Sequence, residues 1–180
     1  IILHNAHDTD GNFSFIDGNN SNDAVDSRIT FIHDNHSSRY GEIAFLLHDG
    51  SALTERVRFD KDGKVGIGTA SPVHPLQVNV DNDGIMINNF AQTNGEFAAL
   101  YFTAHGVAAP FPKMAIASKR TGDYGVGDMY FAVDSNADEA DINIDSDAKM
   151  VIKNNGNVGI GTTSPSGSVH IMTADGSGYQ

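Results

Sequence analysis

An all-β fold built from tandem repeats of short strands joined by tight hairpins follows from three features of the sequence. Residue usage is the first. There are 19 Asp against 4 Glu and 27 Ile plus Val against 6 Leu, and Gly, Asp and Asn together make 54 of the 180 residues. Leu and Glu suit helix interiors, Asp and Asn compete with a helical backbone and collect in turns, and β-branched side chains fit a pleated strand. Apolar periodicity is the second, alternating every two residues instead of following a helical turn. Internal repetition is the third, and it organises the rest.

Residues 63–72 read GKVGIGTASP and residues 156–165 read GNVGIGTTSP, identical at eight of ten positions with an offset of 93. Upstream the match continues at smaller offsets. Leu3-His4-Asn5 aligns with Ile87-Asn88-Asn89 and Gly11-Asn12-Phe13 with Gly95-Glu96-Phe97, both at 84. Gly41-Glu42-Ile43-Ala44-Phe45 aligns with Gly127-Asp128-Met129-Tyr130-Phe131 at 86. An insertion of 7 residues in the acidic stretch Ser135 to Ser146 accounts for the jump from 86 to 93. The expected organisation is a first β repeat over residues 1–80, a second over 81–173, and a tail or the start of a following segment over 174–180.

In the first repeat Phe13 and Phe15 flank Ser14, Ile29 and Phe31 flank Thr30, Ile43, Phe45 and Leu47 share a face, and Val57 and Phe59 flank Arg58. The second repeats this with Leu100 and Phe102, Met114 and Ile116, then Met129, Phe131 and Val133, then Met150 and Ile152. Each set predicts a half-buried strand. Asp17-Gly18, Asp49-Gly50, Asp62-Gly63, Thr121-Gly122 and Asn155-Gly156 are the turn signals between them. The turn at Gly63 joins a strand ending near Phe59 to a second at Val65 to Ile67. Gly156 closes the equivalent hairpin.

Composition excludes several function classes. With 11 Lys plus Arg against 23 Asp plus Glu the formal charge is −12, the wrong sign for binding a phosphate backbone. No apolar run approaches the ~20 residues of a membrane span, so neither a nucleic-acid partner nor membrane insertion is expected. The start at Ile1-Ile2-Leu3, without Met or signal-peptide pattern, reads as a fragment or processed product. With no Cys, disulfide scaffolds, thiol catalysis and cysteine-bound zinc are absent.

Two or three inward apolar residues per strand make a poor independent core. Gly66 and Gly68, like Gly159 and Gly161, place residues without Cβ on either side of Ile67 and Ile160, which allows close backbone approach. Pro72 and Pro165, each after Ser, end the strand and redirect the chain. Both an oligomer wrapped about a common axis and a sharp turn inside a monomeric β-domain satisfy these residues.

The VGIGTxSP string, preceded by a strand and turn such as Met150 to Asn157 and followed by an alternating strand such as Val169-His170-Ile171, resembles a repeat of bacteriophage tail-fibre and receptor-binding proteins. The resemblance covers both copies and is strongest over Glu55 to Val78 and Lys149 to Ile171. It implies an elongated, intertwined homotrimer in the tail fibre of a virion. Its partners would be other fibre or baseplate proteins and a host-surface glycan or protein. The function implied is structural and adhesive, not enzymatic, with no cofactor. The alternatives are a polysaccharide-degrading tailspike segment and a cellular surface adhesin or filament.

Chemistry-bearing clusters are sparse. Asp8-Thr9-Asp10-Gly11-Asn12, Asp60-Lys61-Asp62-Gly63 and Asp81-Asn82-Asp83-Gly84 invite calcium, but lack the spacing of a calcium-binding helix–loop–helix. The second of them becomes Lys153-Asn154-Asn155-Gly156 in the other repeat, so a turn explains both copies where a metal explains one. His4/His7 and His33/His36 are three apart, on opposite faces of a strand. No metal site is therefore assigned. The carboxylates of Asp134, Asp138, Glu139, Asp141, Asp145 and Asp147 are the best constellation for glycan cleavage, set against a solvated acidic loop. GIGT is followed by Ser-Pro and a strand, not by the helix of a phosphate site. Receptor contacts are expected on the loops that differ between copies, Asp17 to Ser27, Asn35 to Tyr40, Gly106 to Phe111 and Ser135 to Ser146, with Tyr40, Phe111 and Tyr124 as candidate sugar-stacking residues.

Overall fold

A computed structural model of the protein describes residues 10–35, 37–81, 84–104, 111–173 and 178–179. The protein is all-β. Among the described residues the one helical element is a 3-10 turn at Asp123–Gly125, and no helix is long and apolar enough to cross a membrane. The chain divides into two units, Ile1–Gly84 and Ile85–Gln180. The segments Leu3 to Asn5, His4/His7, His36, Asp8-Thr9, Asn82-Asp83 and most of the Gly106 to Phe111 loop lie outside the described residues.

The first unit is one six-stranded sheet in sequence order: β1 (Asn12–Asn19), β2 (Val25–Asn35), β3 (Tyr40–His48), β4 (Leu53–Phe59), β5 (Val65–Ile67) and β6 (Leu76–Val78). The second unit is a seven-stranded sheet, also in sequence order: β7 (Phe97–Phe102), β8 (Met114–Arg120), β9 (Gly127–Val133), β10 (Ala148–Ile152), β11 (Val158–Ile160), β12 (Val169–Met172) and β13 (Gly178–Tyr179). Pairing of β13 with β12 carries the second sheet past residue 173 to residues 178–179. Asp17-Gly18 is not a turn. Both residues sit in β1 opposite Arg28 and Ser27, and the chain reverses at residues 20–24, where the Asn20 side chain accepts the Asn22 and Ala24 amides at 2.9 and 3.2 Å.

The repeated motif builds the same device in each unit. Antiparallel hairpins β4–β5 and β10–β11 close at Gly63 and Gly156, with φ of +77° and +89°. The chain then crosses to a strand parallel to the one it left, β5 to β6 and β11 to β12. Residues 68–75 and 161–168 make these crossings, shorter than the dozen or so usual for a parallel return. Glycine is what permits it. A Cβ on Gly66 or Gly159 would stand 2.2 Å from the carbonyl oxygen of Thr69 or Thr162. Gly68 and Gly161 have φ of +71° and +73° and face the Asn79 and Met172 carbonyls. Their amides donate to the carbonyls of Arg56 and Lys149, both at 2.9 Å. Those two residues are the extra ones at matching β-bulges in β4 and β10.

Register follows from these pairings, and it is the same in both units. One face of the first sheet carries two apolar rungs running across all six strands. The first is Ser14, Phe31, Ile43, Phe59, Val65 and Leu76, and the second is Ile16, Ile29, Phe45, Val57, Ile67 and Val78. The second sheet carries Ala98, Ser118, Met129, Ile152, Val158 and Val169, then Leu100, Ile116, Phe131, Met150, Ile160 and Ile171. No residue of these rungs is charged. Phe13 and Phe15 stand opposite Ile32 and Thr30 and so lie on the other face, which the alternation within β1 alone does not reveal.

Candidate binding faces

The face opposite the rungs differs between the units. In the first it sets ion pairs among apolar side chains such as Phe13, Phe15 and Ile32. Arg28 forks onto Asp17, with Nε to Oδ1 at 2.6 Å and Nη2 to Oδ2 at 2.9 Å, and lies 3.9 Å above the Phe15 ring. Arg58 joins Glu55 and Glu42, and these carboxylates, Glu55 foremost, hold the guanidinium pKa above its usual value against the cost of burial. Beside Arg28 is a trough of about 220 Å³ lined by Gly11, Phe13, Arg28, Thr30, Ile32, Ala44, Leu46 and Glu55. Thr30 is 7% exposed, and its hydroxyl has no hydrogen-bond partner among the described residues.

In the second unit the positions of Arg28, Thr30, Glu55 and Arg58 are taken by apolar residues beneath a cover, while Glu42 has an acidic counterpart in Asp128. Ala115, Ala117, Tyr130, Ala132 and Val151 form a buried cluster with Ile142 and Ile144 from the inserted stretch. Val151 has no exposed surface and Ile144 is 3% exposed. The stretch expected either as a carboxylate constellation or as a solvated acidic loop is therefore a lid. It alternates like a strand, with Ile142 and Ile144 inward and the acids outward. Lys113 Nζ bridges Asp134 and Asp138, each at 2.7 Å, and donates to the Ala140 carbonyl at 2.8 Å. The ammonium lowers the pKa of both carboxyls. Lys119 meets Asp145 at 2.5 Å, and Asp147 accepts the Asn143 amide at 2.8 Å. Four carboxylates named for glycan cleavage are thus engaged in pinning the lid. Beside it Asp128, 2% exposed, pairs with Lys153 and accepts the Asn154 amide at 2.9 Å.

The candidate stacking residues are divided between the units, Tyr40 in the first and Phe111 and Tyr124 in the second. Tyr40, 51% exposed, opens β3 with Lys61 Nζ 5.4 Å from its ring centroid. In the second unit Phe111 precedes β8 and Tyr124 follows it, so a whole strand separates them. Tyr124 is fully exposed with φ +55°. At the candidate calcium turn, Asp60 Oδ1 accepts the Asp62 and Lys64 amides at 2.9 and 2.8 Å, and Asp62 meets Lys61. In the other unit Asn155 accepts the Asn157 amide at 3.0 Å, and the turn is retained without the charges. Among the described residues no three His, Asp or Glu side chains converge as a metal site requires.

The trough at Thr30 and the lid were both missed by sequence reasoning. A signal for the lid existed, the alternation in Asp141-Ile142-Asn143-Ile144-Asp145, but the stretch was classed by its charge. No family model matches the chain, and no curated protein matches it in sequence.

Proposed function

We propose that this protein is a segment of a homotrimeric, β-rich fibre that attaches a virion to its host, with no catalytic step of its own. The observation that carries the reading is the thinness of the repeat. Each unit is one sheet whose strands follow in sequence order, and it leaves large apolar rung residues open, with Leu76 58% and Ile160 41% exposed. A domain normally buries its apolar face against a second layer, so chains that lack one obtain it from neighbours. Repeats that each add the same increment of sheet suit a shaft, as in other quasi-one-dimensional proteins.

Attachment would use the faces turned away from the shaft's interior, the Thr30 trough and exposed aromatics such as Tyr40 and Tyr124. Three copies on one axis multiply weak contacts into avidity. The repeat's resemblance to phage fibre proteins supplies the setting, and a host glycan or protein is the receptor class it implies. Three chains carry a charge of −36, three times the −12 of one. Attachment to a strongly anionic surface therefore weakens as salt is lowered, unless cations bridge.

Light scattering after size exclusion tests the assembly. The expected mass is three times the 19.2 kDa of one chain, and a monomer with native circular dichroism overturns it. Binding to whole host cells without release of reducing ends tests the adhesive part; sugar release on incubation would replace it with a degradative one.

A further inference from the structure

We infer that the two-rung apolar face of each sheet is the surface on which copies of this chain meet, leaving the Arg28/Arg58 face and the lidded face outward. The inference rests on the trimeric reading and assigns it a surface.

The first observation is exposure. Along the rungs Phe45 and Ile43 are each 36% exposed, Ile67 38%, Ile160 41% and Leu76 58%. Residues of this size at that exposure sum to something on the order of 700 Å² of open apolar surface per sheet, above the roughly 300–600 Å² of the largest patch on a typical monomer. One sheet alone approaches the ~800 Å² that each partner contributes to a stable interface.

The second observation is what the two repeats keep. The rungs hold the same register, strand for strand, and stay uncharged in both. The opposite face keeps an acid where Glu42 becomes Asp128, but Arg28, Thr30, Glu55 and Arg58 give way to Ala115, Ala117, Ala148 and Val151. A partner of different sequence would have to present the same surface twice in tandem. Another copy of this chain does so by construction.

The third is charge. Identical chains of −12 repel one another, and contact is least costly where no charge is buried. The rungs meet that condition. The opposite face of the first sheet, with Asp17, Arg28, Glu42, Glu55 and Arg58, does not.

The chain has no cysteine, so a single introduced thiol reports its own accessibility to maleimide. Ile67 and Phe15 are 38% and 42% exposed in one chain, on the rung face and the opposite face of the first sheet; Ile160 and Tyr101, at 41% and 46%, are the same pair in the second. An isolated chain predicts equal labelling within each pair. The inference predicts that Ile67→Cys and Ile160→Cys label at least about tenfold more slowly than Phe15→Cys and Tyr101→Cys, with all four trimeric by scattering. Equal labelling in a trimeric protein, or protection of Phe15→Cys and Tyr101→Cys instead, overturns the assignment of the face and leaves the trimer standing. Equal labelling in a monomeric protein overturns both. Urea added to each variant must abolish any protection, which separates burial at an interface from a slow thiol.

Discussion

At one position in the register the first unit has Thr30 and the second Ala117; around it Arg28 corresponds to Ala115, Glu55 to Ala148 and Arg58 to Val151. The first six strands, the bulges at Arg56 and Lys149 and the crossovers match, yet one unit leaves this face open with its ion pairs and the other closes it over an apolar cluster. The cause lies between strands three and four of each sheet. Residues 49–52 turn tightly in the first unit, while residues 134–147 in the second are long enough to lay Ile142 and Ile144 back over the sheet. A lid and its floor come as a pair. Charges beneath Ile142 and Ile144 would be desolvated without partners, and alanines without the lid would lie bare.

The largest effect is expected where the units do not differ. Gly66→Ala and Gly159→Ala each drive a methyl to 2.2 Å from a main-chain carbonyl oxygen that cannot move without opening the crossover. Both should cost more than about 3 kcal/mol, with similar losses in thermal unfolding. A harmless Gly66→Ala beside a damaging Gly159→Ala would mean that the first crossover is looser than its twin, and the equivalence of the units would be lost.

Next comes the lid, where the units should part. Ile144→Ala removes a side chain 3% exposed from the cluster around Val151, and a buried Ile to Ala change costs about 2–4 kcal/mol. The loss should stay within the second unit, so amide exchange should accelerate in β9 and β10 and remain unchanged in β3 and β4. Equal acceleration in both units would show them folding as one cooperative body.

Much of this comparison was legible in the sequence, for reasons that can be named. Strand identity came through because large apolar residues recur at every second position in strands such as β2, β3 and β9, and the hairpins because Gly63 and Gly156 sit in turns that need positive φ. Pairing is a different matter. That Phe13 and Phe15 leave the rung face depends on the bulge at Gly18/Asn19 and the reversal at Asn20, and a strand's own alternation holds no record of its partner's register. The parallel return after Pro72 and Pro165 was hidden likewise, because proline redirects the chain without fixing the direction. Among site residues the crossover glycines were readable from missing Cβ atoms. The lid was not, since its acids outnumber the two isoleucines that decide its place.

Acid gives the smallest effect and the finest comparison, because carboxylates hold both connections. Asp49 caps the short one. The amides of Ala52 and Ser51, then the Thr54 hydroxyl, bring its pKa down to about 2. Asp134 and Asp138 hold the long one through Lys113, which lowers both. A carboxyl with a depressed pKa in the folded state stabilises fully above its unfolded value of 3.8, and the contribution fades as pH falls through the folded value. Both connections therefore keep their anchors at neutral pH and weaken below pH 4, with that of Asp49 lasting to about pH 2. The consequences differ. Among the described residues no apolar cluster is sealed beneath residues 49–52, and acid loosens only a turn; releasing Asp134 and Asp138 frees the lid over Val151, so the methyl signals of Ile142 and Ile144 should shift and broaden as the pH falls below about 4. Methyl signals that stay fixed once both carboxyls are protonated would mean that burial of the two isoleucines holds the lid without its ion pairs, leaving the acids of the inserted stretch as surface charge alone.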